Sequence, residues 1–581
     1  MRSIARGTPA VGVSLAVIGS ITWPLLFSYS GFASDWSHHL WLVWHQSLSI
    51  QQDHFPSFFL NSSYSVLNPI FAFYGGTLYA LTGLLSLALG GAPVQAYVFM
   101  YMVGFVGAFG GWYWMARMAG LPRWAALVPG VVFVTSSYFV MLVYVRGDWP
   151  EFMGVSMISP MVASGISVLR GERLPVGATA ALALSAVLFF GSHTITVLLG
   201  LTTLAVTVLA IFVCVPDARR LLTRRGAFRV TGVLVPAVMV SAWYLTPTLA
   251  YESRTRVGSE YEHARMAVKT TMGLVSMAHL FTLSRSSALS TPSPYPFALA
   301  LPTVAIAWVL VGLVVLTRGR GDRTWARVLV ICSALAVLVT LVMTHSGLLL
   351  ALPRQYTYIQ FSYRLESYVL LELSAAILAA LVLARSGAGR RRRAFAWLAL
   401  PVSVVCLIGA VGQVLGYPYP GLDRYETLEF YGQVNTGPNR DYADASEPVI
   451  ASANLPTLEF PPAAVHDDRV SASVRVRPGT LLATNVAAGP YLVHVAGAKA
   501  VGTASETGYM VLAVGSARAT AQRAGAKLAS SGSDPVDTIS IGPSDGAPIV
   551  IGRVLSVVGL VVMALGLVAL VLLWLRRARA R

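Results

Sequence analysis

Runs of about 20 apolar residues, the length that crosses a bilayer, recur along most of this chain, and short arginine-rich loops separate them. The basic loops are Arg117 with Arg123; Arg170 with Arg173; Arg219, Arg220, Arg224 and Arg225; Arg318 to Arg327; Arg390 to Arg393; and Arg576 to Arg581. Such loops stay in the cytoplasm. Placing each there predicts about twelve spans, near 10–31, 94–116, 124–145, 152–169, 176–191, 194–214, 229–247, 296–316, 328–350, 367–386, 394–416 and 549–575, with both termini inside. Residues 71–90 are apolar enough to cross, but a crossing there inverts every element upstream. The expectation is therefore one external loop over 33–93 with membrane-lying helices, in which 71–90 dips without crossing. Trp36, Trp41, Trp44, Phe55, Phe58 and Phe59 suit that interface, where aromatic rings settle at headgroup depth.

Residues 417–548 differ in pattern. Pro, Gly, Asp and Asn become frequent, and apolar and polar positions alternate in Ser471–Val476, Tyr491–Val495 and Tyr509–Val514. Alternation broken by Gly and Pro turns predicts short strands. The fold class expected is an all-α polytopic membrane bundle with a small external β-sandwich before the last span. Its divisions are a transmembrane domain over 1–416, a β-rich domain over 417–548, and a final span with a basic tail over 549–581.

Composition agrees with the pattern. The chain has 581 residues, of which 55% are hydrophobic and 12% charged, and its mean hydropathy is +0.66. The net charge of +17 resides in loops that meet anionic headgroups, so no nucleic-acid partner is expected. Cys214, Cys332 and Cys406 fall in apolar spans without ligand spacing, which implies neither a disulfide framework nor a zinc site. Val11 to Phe32 is longer than a signal-peptide core, and an uncleaved first span is expected; Asp35 is external either way. No P-loop, GxSxG, HExxH or Rossmann fingerprint occurs, leaving ATP-driven transport, serine hydrolysis and zincin chemistry without a motif.

Three polar clusters interrupt this apolar background. Asp35, His38 and His39 follow the first span, with His45, Asp53 and His54 further along the loop. On a helix the first three share one face, where a carboxylate can take a proton from a hydroxyl while imidazoles hold a phosphate or a metal. An interfacial helix with a wet polar face accounts for them equally. Arg146, Asp148 and Glu151 form the second cluster. Arg146 suits a phosphate, yet Asp148, Pro150 and Glu151 also make an ordinary helix start. Arg364 enters a span from outside and either pairs with Glu366 or Glu372 or binds an anionic headgroup. His193, in Gly191–Thr194, is either a ligand-facing group or part of a self-satisfied turn. The charged loop 248–295 reads as a solvated face or a lid.

The order of these clusters resembles the GT-C superfamily of membrane glycosyltransferases, and most of all its YfhO-like and "6-pyruvoyl-tetrahydropterin synthase-related" membrane-domain branch. The resemblance runs through Asp35–His39, Tyr144–Asp148 with Glu151, Gly191–Thr196, Ile359–Arg364 and Asp441-Tyr442, and so covers nearly the whole chain. Gly191–Thr196 is similar to a family SHN turn and Ile359–Arg364 to a family IQFPWR stretch, with Ser362 where proline is frequent. The resemblance implies transfer of a sugar from a polyprenyl-phosphate donor to a glycan or lipid acceptor, at the outer face of a bacterial plasma membrane. Asp35, Asp148 and Glu151 become the catalytic candidates, with Asp35 as base. His38, His39, Arg146, His193 and Arg364 become the substrate-binding candidates. Asp148 and Glu151 would bind the acceptor or an optional divalent cation, and no cofactor is otherwise assigned. A lipid or glycan transporter, or a non-catalytic envelope-assembly scaffold, is the alternative.

Overall fold

A computed structural model describes residues 8–27, 35–60, 66–171, 175–255, 322–359, 361–386, 407–412, 414–415, 448–451, 454–460, 470–476, 479–487, 492–505, 509–514, 537–543 and 546–579. Its helices are α1 (Thr8–Phe27), α2 (Trp36–Asp53), α3 (Gly76–Ala88), α4 (Pro93–Met118), α5 (Arg123–Val134), α6 (Trp149–Arg170), α7 (Val176–Phe190), α8 (Thr194–Cys214), α9 (Arg224–Val240), α10 (Ala242–Tyr251), α11 (Arg323–Thr344), α12 (Glu366–Ser386) and α13 (Ala547–Arg579).

This is a multi-pass membrane protein. Among the described residues six helical segments are long and apolar enough to cross: Pro93–Met118, Trp149–Arg170, Thr194–Cys214, Arg323–Thr344, Ser362–Arg385 and Ala547–Arg576. Two bent pairs raise the number to eight, where the sequence pattern called for about twelve. The expected spans at 10–31 and 176–191 appear as shorter apolar helices. The span at 296–316, nearly all of 394–416, and most of the charged loop 248–295 lie outside the described residues. Segment 71–90 contains α3, whose 13 residues reach about 20 Å at 1.5 Å per residue, short of a bilayer core.

Each bent pair replaces one expected straight span, since mean hydropathy carries no information about direction. Segment 124–145 turns by 51° between Arg123–Val134 and Tyr138–Tyr144. It then widens into a π turn over Leu142–Arg146, a distortion that often marks functional sites. Segment 229–247 turns by 72° between α9 and Ala242–Arg254, with Pro236 and Pro247 flanking the break. A sharp helix bend requires a local cause and new partners for the freed backbone. Ser556 of α13 supplies them: its hydroxyl accepts from Trp243 N–H (2.8 Å) and shares its hydrogen between the Met239 and Val240 carbonyls (2.9 and 3.0 Å). Gly559 lets the helices approach, because a Cβ there would lie 2.8 Å from Val240 N.

The helices α6, α8 and α12 all begin at one place and run away from it to arginines: Arg170 at the end of α6, Arg219 just beyond α8, and Arg385 at the end of α12. Their opposite starts are where the polar residues gather.

The small β domain comprises β1 (Val449–Ile450), β2 (Thr457–Leu458), β3 (Val470–Val474), β4 (Leu481–Ala487), β5 (Leu492–Ala496), β6 (Ala498–Ala504), β7 (Tyr509–Val514) and β8 (Asp537–Pro543). The described strands form sheets ordered β1-β6-β7-β4-β2 and β3-β8-β5. Val66 of the first loop joins β4 directly, donating to Asn485 O (2.9 Å) and accepting from Ala487 N–H (3.0 Å). The β domain is therefore tied to the loop that carries Asp35.

Ser556→Ala removes the buried partner of Trp243 N–H, a loss of about 1–3 kcal/mol. Thermal unfolding of the purified protein should show a clear drop, and an unchanged transition would mean that the bend sustains itself.

Candidate active site

Arg146, Asp148, Glu151 and Arg364 form a closed ring of charge. Arg146 Nη2 lies 2.7 Å from Asp148 Oδ2, and Arg146 Nη1 lies 3.1 Å from Glu151 Oε2. Arg364 faces the same two oxygens, with Nη2 at 3.4 Å from Asp148 and Nε at 3.4 Å from Glu151. All four side chains are 3 to 6% exposed. Buried charges of this kind persist only when paired, and here two cations meet two anions. Tyr138 donates to Glu151 Oε1 (2.6 Å), and the Tyr363 ring lies 5.3 Å below the Arg146 guanidinium.

Local sequence builds the ring. Asp148 caps α6, its Oδ1 accepting from Glu151 N–H (3.2 Å), and Pro150 occupies the first turn, where no amide is needed. Gly147 has φ +66°, and a Cβ there would collide with Trp36 N at 2.6 Å. That close approach brings the first loop in: Asp35 N–H donates to Arg146 C=O at 3.1 Å. The two acidic segments, over a hundred residues apart, share one backbone hydrogen bond. Asp35 keeps partial exposure, whereas Asp148 and Glu151 are buried.

The imidazoles line the adjoining side. His39 Nδ1 is hydrogen-bonded to the Tyr79 hydroxyl (2.6 Å), and His193 Nδ1 to the Thr196 hydroxyl (3.0 Å). Tyr74 lies among three of them, its ring 6.4 Å from His38, 6.0 Å from His39 and 5.5 Å from His193. Gly75 makes the junction possible, since a Cβ there would overlap Ser192 O at 1.3 Å. The eight residues taken from the sequence as catalytic or substrate-binding candidates thus converge: Asp35, His38, His39, Arg146, Asp148, Glu151, His193 and Arg364. His45 instead lies against Phe71 (5.9 Å), and His54 closes the far end of α2.

Burial drives the His38 imidazole down to about 4 and, with Arg364 and Arg146 nearby, that of His193 to about 3. His39 is also lowered, by burial first and then by His38. All three are neutral at pH 7. Burial works against ionisation of Asp148, but the Arg146 and Arg364 guanidiniums override it and hold the carboxyl well below the usual range.

Arg364 does not pair with Glu366 or Glu372, as one reading of the sequence allowed. It belongs to the 3₁₀ turn Ser362–Leu365 ahead of α12, while Glu372 accepts from Thr207. Nor do Asp148 and Glu151 fit the optional divalent cation: Oδ1, Oδ2, Oε1 and Oε2 are engaged by Glu151 N–H, Tyr138 and the two guanidiniums. Among the described residues no three His, Cys, Asp or Glu side chains converge in ligand geometry. Sequence reasoning missed Tyr74, Tyr79, Tyr138 and Thr196, which look like core or helix residues until their partners are known.

Chemically, the cluster offers one partly exposed acidic residue, one guanidinium with donors to spare, and neutral imidazoles. Arg364 is the spare one: its Nε is buried without a hydrogen-bond partner, and its contacts exceed the 2.7–2.9 Å typical of charge-assisted bonds.

No protein-family description matches the chain, and no curated protein matches it in sequence. Similar solved structures include the arabinofuranosyltransferase AftD from mycobacteria, at 15% identity and TM-score 0.43 over 72% of this chain and 27% of that one. The Archaeoglobus fulgidus oligosaccharyltransferase in its apo form gives 14%, 0.41, 78% and 62%. ArnT from Cupriavidus metallidurans gives 14%, 0.29, 66% and 78%. The chain spans about a quarter of AftD and under two thirds of the oligosaccharyltransferase. Likenesses at these scores establish neither a shared fold nor an activity.

Proposed function

We propose that this protein is a membrane-embedded glycosyltransferase of GT-C type. It moves a sugar from a polyprenyl-phosphate donor to a cell-envelope glycan or lipid acceptor, at the outer face of a bacterial plasma membrane. The observation that carries this reading is the meeting of Asp35 with the Arg146–Asp148–Glu151–Arg364 ring through the Asp35 N–H to Arg146 C=O bond. Asp35 is partly exposed, and the Arg364 guanidinium of the ring keeps a buried Nε without a hydrogen-bond partner. Helices α2, α6 and α8 start at Asp35, Asp148 and His193, and α12 starts just after Arg364. Helix starts carry partial positive charge and favour an anion. The arginines at the far ends of α6, α8 and α12 support an extracytoplasmic position for this cluster, by the positive-inside rule.

In the reaction an acceptor hydroxyl attacks the anomeric carbon of the lipid-linked sugar. The new C–O bond forms as the bond from that carbon to the phosphate oxygen breaks. The hydroxyl proton passes to the Asp35 carboxylate, and the electron pair leaves on the polyprenyl phosphate. Arg364, with His38, His39 and His193 as neutral donors, holds the phosphate oxygens and disperses the developing charge. Arg146 serves chiefly as a clamp on Asp148 and Glu151, and those two carboxylates fix both guanidiniums. The β domain, tied to the same loop through Val66, orients the acceptor.

With radiolabelled polyprenyl-phosphate sugar and membrane acceptor lipids, Asp35→Asn should lower transfer about 10²–10⁴-fold, the range for a lost general base, with donor binding retained. Wild-type transfer rates in Asp35→Asn, Asp148→Asn and Glu151→Gln alike would exclude the catalytic assignment. A protein that moved lipid across liposomes without making a glycosidic bond would be a transporter. Arg364→Gln should raise the donor KM more than it lowers kcat, and an effect on kcat alone would contradict phosphate binding by Arg364.

The imidazoles also set a pH limit. Folded His38 and His193 titrate near 4 and 3, below the 6.5 of the unfolded chain, so the unfolded state takes up protons first as pH falls. Stability should be full above about pH 6.5 and decline toward pH 4. A thermal transition flat from pH 7 to pH 4 would contradict burial of neutral imidazoles.

A further inference from the structure

Tyr79 and His39 are joined side chain to side chain within the cluster. Tyr79 is wholly buried in α3, its ring stacked on His39 (6.0 Å) with its flanks on Trp149 (5.3 Å) and Phe71 (5.8 Å). Its hydroxyl meets His39 Nδ1 at 2.6 Å. No other acceptor for that hydrogen is found among the described residues. A buried phenol that cannot place its hydrogen loses a hydrogen bond's worth of stability, so the phenol donates and Nδ1 accepts. A neutral imidazole has one proton; with Nδ1 accepting, it resides on Nε2. The ring of His39 lies 5.4 Å from that of His38 and 6.0 Å from that of Tyr74, which also flanks His193, and it feels the charges of Asp148 and Arg146.

We propose that Tyr79 is a positioning residue, which donates to His39 Nδ1 and so fixes His39 Nε2–H as a neutral donor to the phosphate of the lipid-linked substrate. This rests on the phosphate-holding role assigned to His39 above. Thr196 and His193 Nδ1 (3.0 Å) form a parallel pair on the neighbouring helix start. Neutral donors suit this place because the charge ring is already balanced; a second mobile cation would compete with Arg364 for Asp148.

The test uses full-length protein in lipid nanodiscs, with radiolabelled undecaprenyl phosphate as the binding probe and solid-state ¹⁵N spectra of histidine-labelled protein as the tautomer probe. His39 is assigned by difference from His39→Ala. Wild type should show the His39 proton on Nε2. Tyr79→Phe should mix the tautomers and weaken undecaprenyl phosphate binding about tenfold, and it should have no further effect in a His39→Ala background. His39→Gln, whose amide nitrogen reaches the Nε2 position, should keep more binding than His39→Asn, and this comparison decides the matter if Tyr79→Phe fails to fold. A wild-type proton on Nδ1, unaltered binding in folded Tyr79→Phe, or equal losses in His39→Gln and His39→Asn would overturn the proposal. Absence of lipid phosphate binding in every protein would overturn the proposed function itself, and the spectrum would still decide the Tyr79–His39 arrangement.

Discussion

Two guanidiniums and two carboxylates within 2.7 to 3.4 Å of each other set the terms for everything around them. A lone ion cannot remain charged in such surroundings; four arranged alternately can. The ring joins the π turn at Arg146 and the first turn of α6 to the 3₁₀ turn before α12, more than two hundred residues later in the chain. Once they are joined, Gly147 lies against Trp36, and the first loop has only one place to dock. The site is a consequence of neutralising buried charge.

Balanced charge also constrains the chemistry. In the proposed reaction, four charges that cancel leave Asp35, the most exposed of the three acidic residues at this site, as the carboxylate to meet an incoming hydroxyl. The imidazoles add hydrogen-bond donors without adding charge, because burial keeps them neutral. On the proposed function, a phosphate entering this place gains donors from Arg364 and the imidazoles while Asp148 and Glu151 stay bound to Arg146. Their geometry points to positioning rather than to direct contact with the reacting atoms.

The residue types of the site were legible because charged and imidazole groups stand out at the edges of apolar runs. Asp35, Asp148 and Arg364 could each be picked from the chain for that reason. Their partners could not, since a hydrogen bond from Tyr79 to His39 or a guanidinium contact from Arg364 to Asp148 spans a separation that no local pattern records. The one of two readings that paired Arg364 with Glu366 or Glu372 failed for the same cause: nearness in sequence stood in for nearness in space. In the fold, hydropathy located the helices but not their bends. The break at Ser241 depends on Ser556, more than three hundred residues later. Alternation found the stretches that become β3, β5 and β7, while the joining of β4 to Val66 had no signature in either segment.

The most direct measurement is a cryo-electron microscopy map of the full-length protein in nanodiscs saturated with undecaprenyl phosphate. The account predicts phosphate density within hydrogen-bond reach of Arg364 and His39, beside Asp35, with the Arg146–Asp148–Glu151 contacts intact. Phosphate density at the arginine-rich ends of α6, α8 and α12, or a site in which Asp35 lies far from Arg146, would contradict it.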